Sequence, residues 1–176
     1  MRLFYALEFD KRTKDSIALL QQEIEPYCQN ALYTRYENLH LTLCFLGDVE
    51  ATCLTLLKEI LNSLKTPPLA LTLNQLGQWR KSQGDILWLG VEENRVLEAL
   101  QKELSYLLRT NNFVVEQRAF HPHVTLARGA RCRKLPAIEA LTVDIDKITL
   151  MHSYEKQNLL TYTPIHSIQI LQNPAT

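Results

Sequence analysis

The chain has 176 residues, 19 basic and 19 acidic side chains, and a hydrophobic content of 46%. This length is sufficient to bury one hydrophobic core, and the composition excludes disordered and fibrous proteins. A formal net charge of zero argues against a protein that follows a long polyanion, while it leaves open a local site for one phosphate group.

Signals for targeting and disulfide bonds are weak in this sequence. The N-terminal segment MRLFYALEFDKR reaches charged residues too early for a signal peptide, and no apolar run approaches the roughly 18 residues of a membrane span. The cysteines Cys28, Cys44, Cys53 and Cys132 form no C-x-x-C pair, so we expect free thiols. We therefore expect a monomeric cytoplasmic protein with one domain over residues 1–176 and no membrane contact.

Hydrophobic periodicity predicts strands and helices along the whole chain, with residues 129–140 as a loop. The predicted elements, in chain order, are a strand over 2–9, a helix over 12–28, a strand over 38–47, a helix over 49–65, strands over 69–79 and 85–93, a helix over 94–112, and strands over 121–128, 141–155 and 159–171. Asn94 is the expected cap of the third helix. The mixture indicates an α+β protein.

The predicted elements contain a repeat. The order strand, helix, strand ending in HLTL at 40–43 recurs later in the chain and ends in HVTL at 123–126. The two tetrads lie 83 positions apart, and the same offset places Tyr5 opposite Trp88 in the leading strands. We therefore expect two lobes related by a pseudo-two-fold axis, each contributing one H-x-T strand to a shared cleft.

The repeated tetrads favour acid–base chemistry at a phosphate. Residues i and i+2 of a strand share a face, so His40 lies beside Thr42, and His123 lies beside Thr125. One neutral imidazole can accept a proton from the attacking oxygen, and one protonated imidazole can give a proton to the departing oxygen. The threonine hydroxyls can donate hydrogen bonds to the non-bridging oxygens. The residues alone do not decide which histidine is the acid.

Other side chains complete the predicted site. Arg128 can add a charge-assisted contact to the phosphate, and Tyr5 and Phe45 are candidates to line the cleft. His121 precedes His123 by two positions, which raises the alternative of a zinc site on His40, His121 and His123. Pro122 and the lack of nearby carboxylates or cysteines favour a supporting role for His121 instead. The remaining two histidines, His152 and His166, receive no role.

The segments RLFYALEF, NLHLTLCFLGDV, LTLNQLGQW, ILWLGV, FHPHVTLAR and TYTPI together resemble the bacterial RNA 2',3'-cyclic phosphodiesterases, also called 2'-5' RNA ligases. These enzymes belong to the two-histidine phosphoesterase superfamily, and the similarity extends over nearly the whole chain. The segment TRYENLH departs from the family because it lacks the Val-Pro pair often found before the first tetrad.

The resemblance implies a bilobal two-histidine phosphoesterase fold, with antiparallel strands around a central cleft, outer helices, and no metal or other cofactor. It implies hydrolysis of RNA 2',3'-cyclic phosphate ends to 2'-phosphomonoesters, and in some members 2'-5' RNA joining, without an obligate protein partner. Carried over to this chain, His40 is the proton donor and His123 the proton acceptor. The substrate-binding residues are then Thr42, Thr125 and Arg128.

Two alternatives stay open besides the zinc protein. The chain can act on another small phosphoester, such as ADP-ribose cyclic phosphate or 2'-5' oligoadenylate. It can also bind RNA ends without turnover. A pure binder has little use for two imidazoles in opposite protonation states, so the sequence favours an enzyme.

Overall fold

The computed structural model describes residues 1–171, so the last five residues of the predicted domain lie outside the described part. The predicted α+β fold is confirmed. The three helices of this part are α1 (Lys11–Ile24), α2 (Leu54–Ser63) and α3 (Arg95–Thr110). Its strands are β1 (Arg2–Glu8), β2 (Cys28–Gln29), β3 (Leu32–Tyr33), β4 (His40–Asp48), β5 (Leu69–Trp79), β6 (Asp85–Val91), β7 (His123–Cys132), β8 (Leu141–Ile145), β9 (Lys147–Lys156) and β10 (Leu159–Gln169). No helix within residues 1–171 is both long and apolar enough to span a membrane.

The antiparallel sheet has the pseudo-two-fold symmetry that the repeat predicts. Its main strand order is β10-β9-β1-β4-β7-β6-β5-β8, so each tetrad strand lies at the centre with its leading strand outside it. Strands β4 and β7 pair through Leu41 and Val124, whose positions differ by 83. The pseudo-two-fold axis therefore passes between the two tetrads.

The register of the leading strands differs from the prediction by one residue. Ala6 pairs with Thr42, and Trp88 pairs with Thr125, so Trp88 corresponds to Ala6 rather than to Tyr5. The strand pair β1–β4 has register irregularities on both sides of Phe4 and Tyr5. The difference is already present at the cleft ends of the strands, where Glu8 pairs with His40 and Gly90 with His123, because the connection from leading strand to tetrad is one residue longer in the second lobe.

Buried leucines and valines anchor the two tetrad strands on the side opposite the histidines. Leu41, Leu43, Val124 and Leu126 are at most 2% exposed. The amide of Gln21 on α1 donates hydrogen bonds to the Thr34 carbonyl (3.0 Å) and the Leu126 carbonyl (2.9 Å), which fixes this helix against β7. The alternation seen in the sequence thus places the polar face of each strand toward the cleft.

Some predicted boundaries are wrong because distant partners decide them. The strand predicted to end at Arg128 continues to Cys132, since it pairs with the two short strands β2 and β3. The single strand predicted over 141–155 is interrupted at Asp146. Its first part pairs with β5 in one lobe and its second part with β1 in the other, so the chain crosses between lobes there.

The expectation of four free cysteines is also wrong. Cys28 and Cys132 form a disulfide bond that closes a sequence separation of 104 residues, while Cys44 and Cys53 are free. The two bonded cysteines face each other directly across the β2–β7 ladder. This pairing is not visible in the sequence because it depends on a two-residue strand. The cysteines therefore no longer support a reducing compartment.

Candidate active site

Both H-x-T tetrads open onto one cleft of about 680 Å³. The cleft is lined by five polar residues of the prediction, namely His40, Thr42, His123, Thr125 and Arg128, and by the aromatic Phe45. The juxtaposition arises because β4 and β7 are neighbours at the pseudo-two-fold axis and each strand presents the same face.

The two imidazoles are held in the same way. The Nδ1–H of His40 donates to the Asn38 carbonyl (2.7 Å), and the Nδ1–H of His123 donates to the His121 carbonyl (2.7 Å). A carbonyl oxygen only accepts, so the proton of each neutral ring resides on Nδ1. Each Nε2 is then the atom available for proton transfer in the cleft. His121 thus supports His123 through its backbone.

The threonine of the first tetrad contacts its own histidine. The Thr42 hydroxyl lies 2.9 Å from His40 Nε2, and with Nδ1 protonated the hydroxyl donates this hydrogen bond. When Nε2 is protonated, the hydroxyl turns to accept and keeps its own proton free for a bound anion. The Thr42 hydroxyl can therefore change from donor to acceptor when His40 gains a proton.

Burial lowers the pKa of both histidines in the unliganded protein. The pKa of His40 falls from 6.5 to about 4 through burial, against the opposing effect of the Asn38 hydrogen bond. Burial also lowers the pKa of His123, and the charge of Arg128 adds to the effect. His123 itself lowers the pKa of His40, so the two imidazoles are electrostatically coupled. The neutral form of both rings is therefore favoured in the unliganded protein.

Aromatic side chains that the sequence analysis did not assign to the site pack against the histidines. Phe4 and Tyr162 contact the His40 ring with centroid distances of 5.0 and 5.1 Å. Trp79 packs edge-on against His123 at 4.5 Å. Both tyrosine and tryptophan come from outer strands, β10 and β5, that the repeat does not include. Their edge-on contacts fix the ring planes of the two imidazoles.

The prediction that Tyr5 lines the cleft is wrong. Its side chain is 0% exposed, and its hydroxyl donates to the Leu57 carbonyl at 2.8 Å. Its neighbour Phe4 lies on the cleft side of β1 instead. The segment RLFYALEF is apolar on both faces, so its alternation gives no sign of which face meets the cleft.

Cationic side chains surround the cleft. Besides Arg128, it is lined by Arg2 and Arg35, neither of which the sequence singled out. The guanidinium of Arg2 lies 5.2 Å from the centre of the Phe45 ring, and Arg35 forms an exposed ion pair with Glu37. A chain of zero net charge thus places three arginines around one anion-sized site.

The structure also bears on the remaining histidines. His166 Nε2 lies 2.7 Å from the Asn62 side-chain oxygen, and His152 stacks on Tyr154; neither histidine lines the cleft. Within the part of the chain that is described, no group of three or more His, Cys, Asp or Glu side chains could hold a metal ion. The zinc site considered on His40, His121 and His123 does not assemble.

Comparisons with known proteins agree with this geometry. The family profile of the 2'-5' RNA ligase superfamily matches residues 13–157. The chain is 29% identical to the RNA 2',3'-cyclic phosphodiesterase of Escherichia coli (strain K12), covering 93% of each chain. It is 33% identical to the RNA 2',3'-cyclic phosphodiesterase of Methanocaldococcus jannaschii, covering 73% of this chain and 71% of that protein.

A solved structure shares the whole fold. The crystal structure of E. coli LigT complexed with NADP+ superposes with a TM-score of 0.85 at 28% identity, covering 97% of this chain and 98% of that one. Together with the profile match, these similarities show that the chain belongs to the 2'-5' RNA ligase superfamily.

Proposed function

We propose that this protein is an enzyme that hydrolyses RNA ends or nucleotides bearing a 2',3'-cyclic phosphate to 2'-phosphomonoesters. The observation that carries the proposal is the matched histidine pair, in which both rings donate through Nδ1 to a backbone carbonyl and leave Nε2 for the cleft. Relatives from two organisms that are named RNA 2',3'-cyclic phosphodiesterase support the same chemistry.

In the proposed mechanism the phosphate binds between the two imidazoles. Nε2 of His123 takes a proton from water while the water oxygen forms a bond to phosphorus. The bond between phosphorus and O3' breaks, and protonated Nε2 of His40 gives its proton to the departing O3'. The products are a 2'-phosphate and a free 3'-hydroxyl. Proton exchange with solvent then restores both histidines.

The assignment of donor and acceptor follows the family resemblance, since both rings have the same tautomer. The negative charge of the bound phosphate raises the pKa of His40 from its low value in the unliganded protein. Proton uptake by His40 is thereby linked to substrate binding, so the protonated acid forms when the phosphate is bound. Thr42, Thr125 and Arg128 would hold the non-bridging oxygens, where charge must be stabilised during transfer.

The experiment that tests the proposal compares substrates in the presence of a chelator. Purified protein in EDTA is incubated with 2',3'-cyclic AMP, a cyclic-phosphate-ended RNA, ADP-ribose 1'',2''-cyclic phosphate and 2'-5' oligoadenylate. The proposal expects turnover of the first two without metal. If only ADP-ribose 1'',2''-cyclic phosphate or only 2'-5' oligoadenylate is hydrolysed rapidly, the substrate of the enzyme is that phosphoester instead. Tight binding of the RNA end with no turnover would make the protein a binding module.

Further parts of the proposal concern the setting of the enzyme. We propose a monomer of one domain over residues 1–176 that acts without a metal in the cytoplasm, where RNA ends are generated. Sedimentation tests the monomer, and thiol counting on protein from freshly lysed cells tests whether the Cys28–Cys132 bond is present where the protein works.

A further inference from the structure

A second groove opens on the other side of the histidine pair. It has a volume of about 840 Å³ and shares Thr42, Phe45 and His123 with the cleft described above. We call that cleft, which contains His40, the first groove, and the additional one the second groove. His123 thus lies where the two grooves meet, whereas His40 lines the first groove only.

The two grooves are related by the pseudo-two-fold axis. The chain that leads into β4 borders the first groove, and the chain that leads into β7 borders the second. Arg35 in the first groove and Arg118 in the second differ by 83 positions, the same offset that relates Leu41 to Val124. Each arginine lies beside a glutamate of its own segment. The symmetry therefore repeats Arg35 of the first groove as Arg118 in the second, and the second groove has Arg80 and Lys81 in addition.

Each groove also has an aromatic side chain beside its histidine. Tyr162 meets the His40 ring at an interplanar angle of 88° in the first groove. Trp79 meets the His123 ring at 84° in the second groove, next to Trp88. The two contacts come from strands that the axis does not relate, since β5 corresponds to β9 and not to β10.

The second groove has the lining that a nucleotide needs. Trp79 and Phe120 provide aromatic surface for a base, and Arg80, Lys81 and Arg118 provide positive charge for a phosphate. Arg80 is paired with Asp85 at 3.1 Å, whereas within residues 1–171 the Lys81 ammonium makes no salt bridge. An ammonium without an ion-pair partner is free to contact the oxygens of a bound phosphate by a charge-assisted hydrogen bond.

The second groove is too large to be a channel for single water molecules. One water molecule occupies about 30 Å³ of liquid, whereas the second groove is more than an order of magnitude larger. Both grooves lie in the range of roughly 300–1,000 Å³ that small-molecule ligands occupy. Hydrolysis of a cyclic phosphate held in the first groove would need only the water.

We propose that the second groove is a binding site for a second nucleotide unit, whose base packs against Trp79 and whose phosphate contacts Arg118 and Lys81. The inference rests on the proposed function, since it takes the first groove as the site of the nucleotide that carries the reacting phosphate. The enzyme then holds nucleotides on both sides of the histidine pair, and its specificity depends on both.

A titration with 5'-AMP, followed by NMR, tests this proposal. The chain has only two tryptophans, so the indole N–H signal of Trp79 is a resolved reporter of the second groove. The imidazole C–H signal of His40 reports on the first groove. The proposal expects both signals to move, with separate dissociation constants. The double variant Arg118→Ala/Lys81→Ala should abolish the response of Trp79 and preserve that of His40.

The pseudo-symmetry provides the matched control. Arg35→Ala should weaken the response of His40 and leave that of Trp79, while Tyr106→Ala, on the exposed face of α3, should preserve both. The proposal would be overturned if the Trp79 and His40 signals gave the same dissociation constant and if Arg35→Ala abolished the response of both. It would also fail if inorganic phosphate moved Trp79 with the same affinity as 5'-AMP, because the groove would then be an anion site.

The titration and the proposed function fail independently. Turnover of 2',3'-cyclic AMP by the wild-type protein is a separate measurement, and its absence would remove the proposed reaction. The two-site titration would still be readable in that case.

Discussion

The contact between Trp79 and His123 gives the sharpest prediction about how the site is organised. His123 has two restraints on its ring, namely the hydrogen bond from Nδ1 to the His121 carbonyl and the edge-on indole of Trp79 at 4.5 Å. Trp79→Ala removes the second restraint and leaves the first. The imidazole can then rotate about the remaining hydrogen bond, so Nε2 spends less time facing the phosphate.

The expected loss follows from the size of an aromatic pair. Such contacts contribute about 0.5–1.5 kcal/mol beyond burial, which corresponds to a decrease of about 2- to 13-fold in kcat. Removing the indole also admits water, so the lowered pKa of His123 rises toward 6.5. Because His123 must be neutral to act as base, the acid limb of the pH–rate profile moves to higher pH.

The assay is steady-state hydrolysis of 2',3'-cyclic AMP by Trp79→Ala, Trp79→Phe and the control Tyr106→Ala across pH. Phenylalanine retains an aromatic edge, so Trp79→Phe should recover most of kcat, and the control should match the wild type. An unchanged kcat and an unchanged acid limb in Trp79→Ala, with the protein folded, would refute the positioning role.

The other predictions concern catalysis, pH and stability. His40→Ala and His123→Ala should each lower kcat by about 10²–10⁴-fold with unchanged thermal unfolding, measured by the same assay and by circular dichroism; near-normal turnover in either would exclude the mechanism. Because both histidine pKa values lie below 6.5 in the unliganded protein, kcat/KM should peak on the acid side of pH 6.5 and fall about tenfold per pH unit above it. A bound phosphate raises the pKa values of the two histidines, so the alkaline limb of the kcat profile should lie at higher pH than the alkaline limb of the kcat/KM profile. Alkaline limbs at the same pH would contradict this linkage. In oxidised protein, Cys28→Ser should lower the free energy of unfolding by about 2–4 kcal/mol, measured by urea titration, because it opens a loop of 104 residues; equal stability would show that the bond contributes nothing.

A substitution at Gly77 reaches His123 by another route. A Cβ atom at Gly77 would overlap the Trp88 ring, whose centre lies 5.4 Å from that of Trp79. Gly77→Ala should therefore displace both indoles and reproduce part of the kcat loss of Trp79→Ala. A shift of both indole N–H signals in the NMR spectrum is the direct measurement, and unshifted signals would contradict it.

The sequence predicted which tetrad residues face the cleft because a strand has a period of two. His40 and Thr42, and likewise His123 and Thr125, alternate with buried leucine or valine, so the polar face could be identified without a structure. The repeat spacing of 83 then indicated that the tetrads belong together, and the pairing of Leu41 with Val124 agrees with that spacing.

The parts that the sequence did not reveal depend on long-range pairing. Phe4 and Tyr5 are both apolar, so only the register of β1 against β4, with its irregularities, decides which one faces the cleft. Trp79 and Tyr162 come from strands outside the repeat, and their contacts with the histidines follow from the order of the sheet. The Cys28–Cys132 bond likewise joins strands that local patterns cannot bring together.

The most direct test of the central claim is the product of one reaction. The protein is incubated with 2',3'-cyclic AMP in ¹⁸O-labelled water containing EDTA, and the product is identified by ³¹P NMR and mass spectrometry. Water attack assisted by His123 and departure of O3' assisted by His40 predict 2'-AMP as the single product, with one ¹⁸O atom in its phosphate. Formation of 3'-AMP, or no turnover at all, would contradict the account.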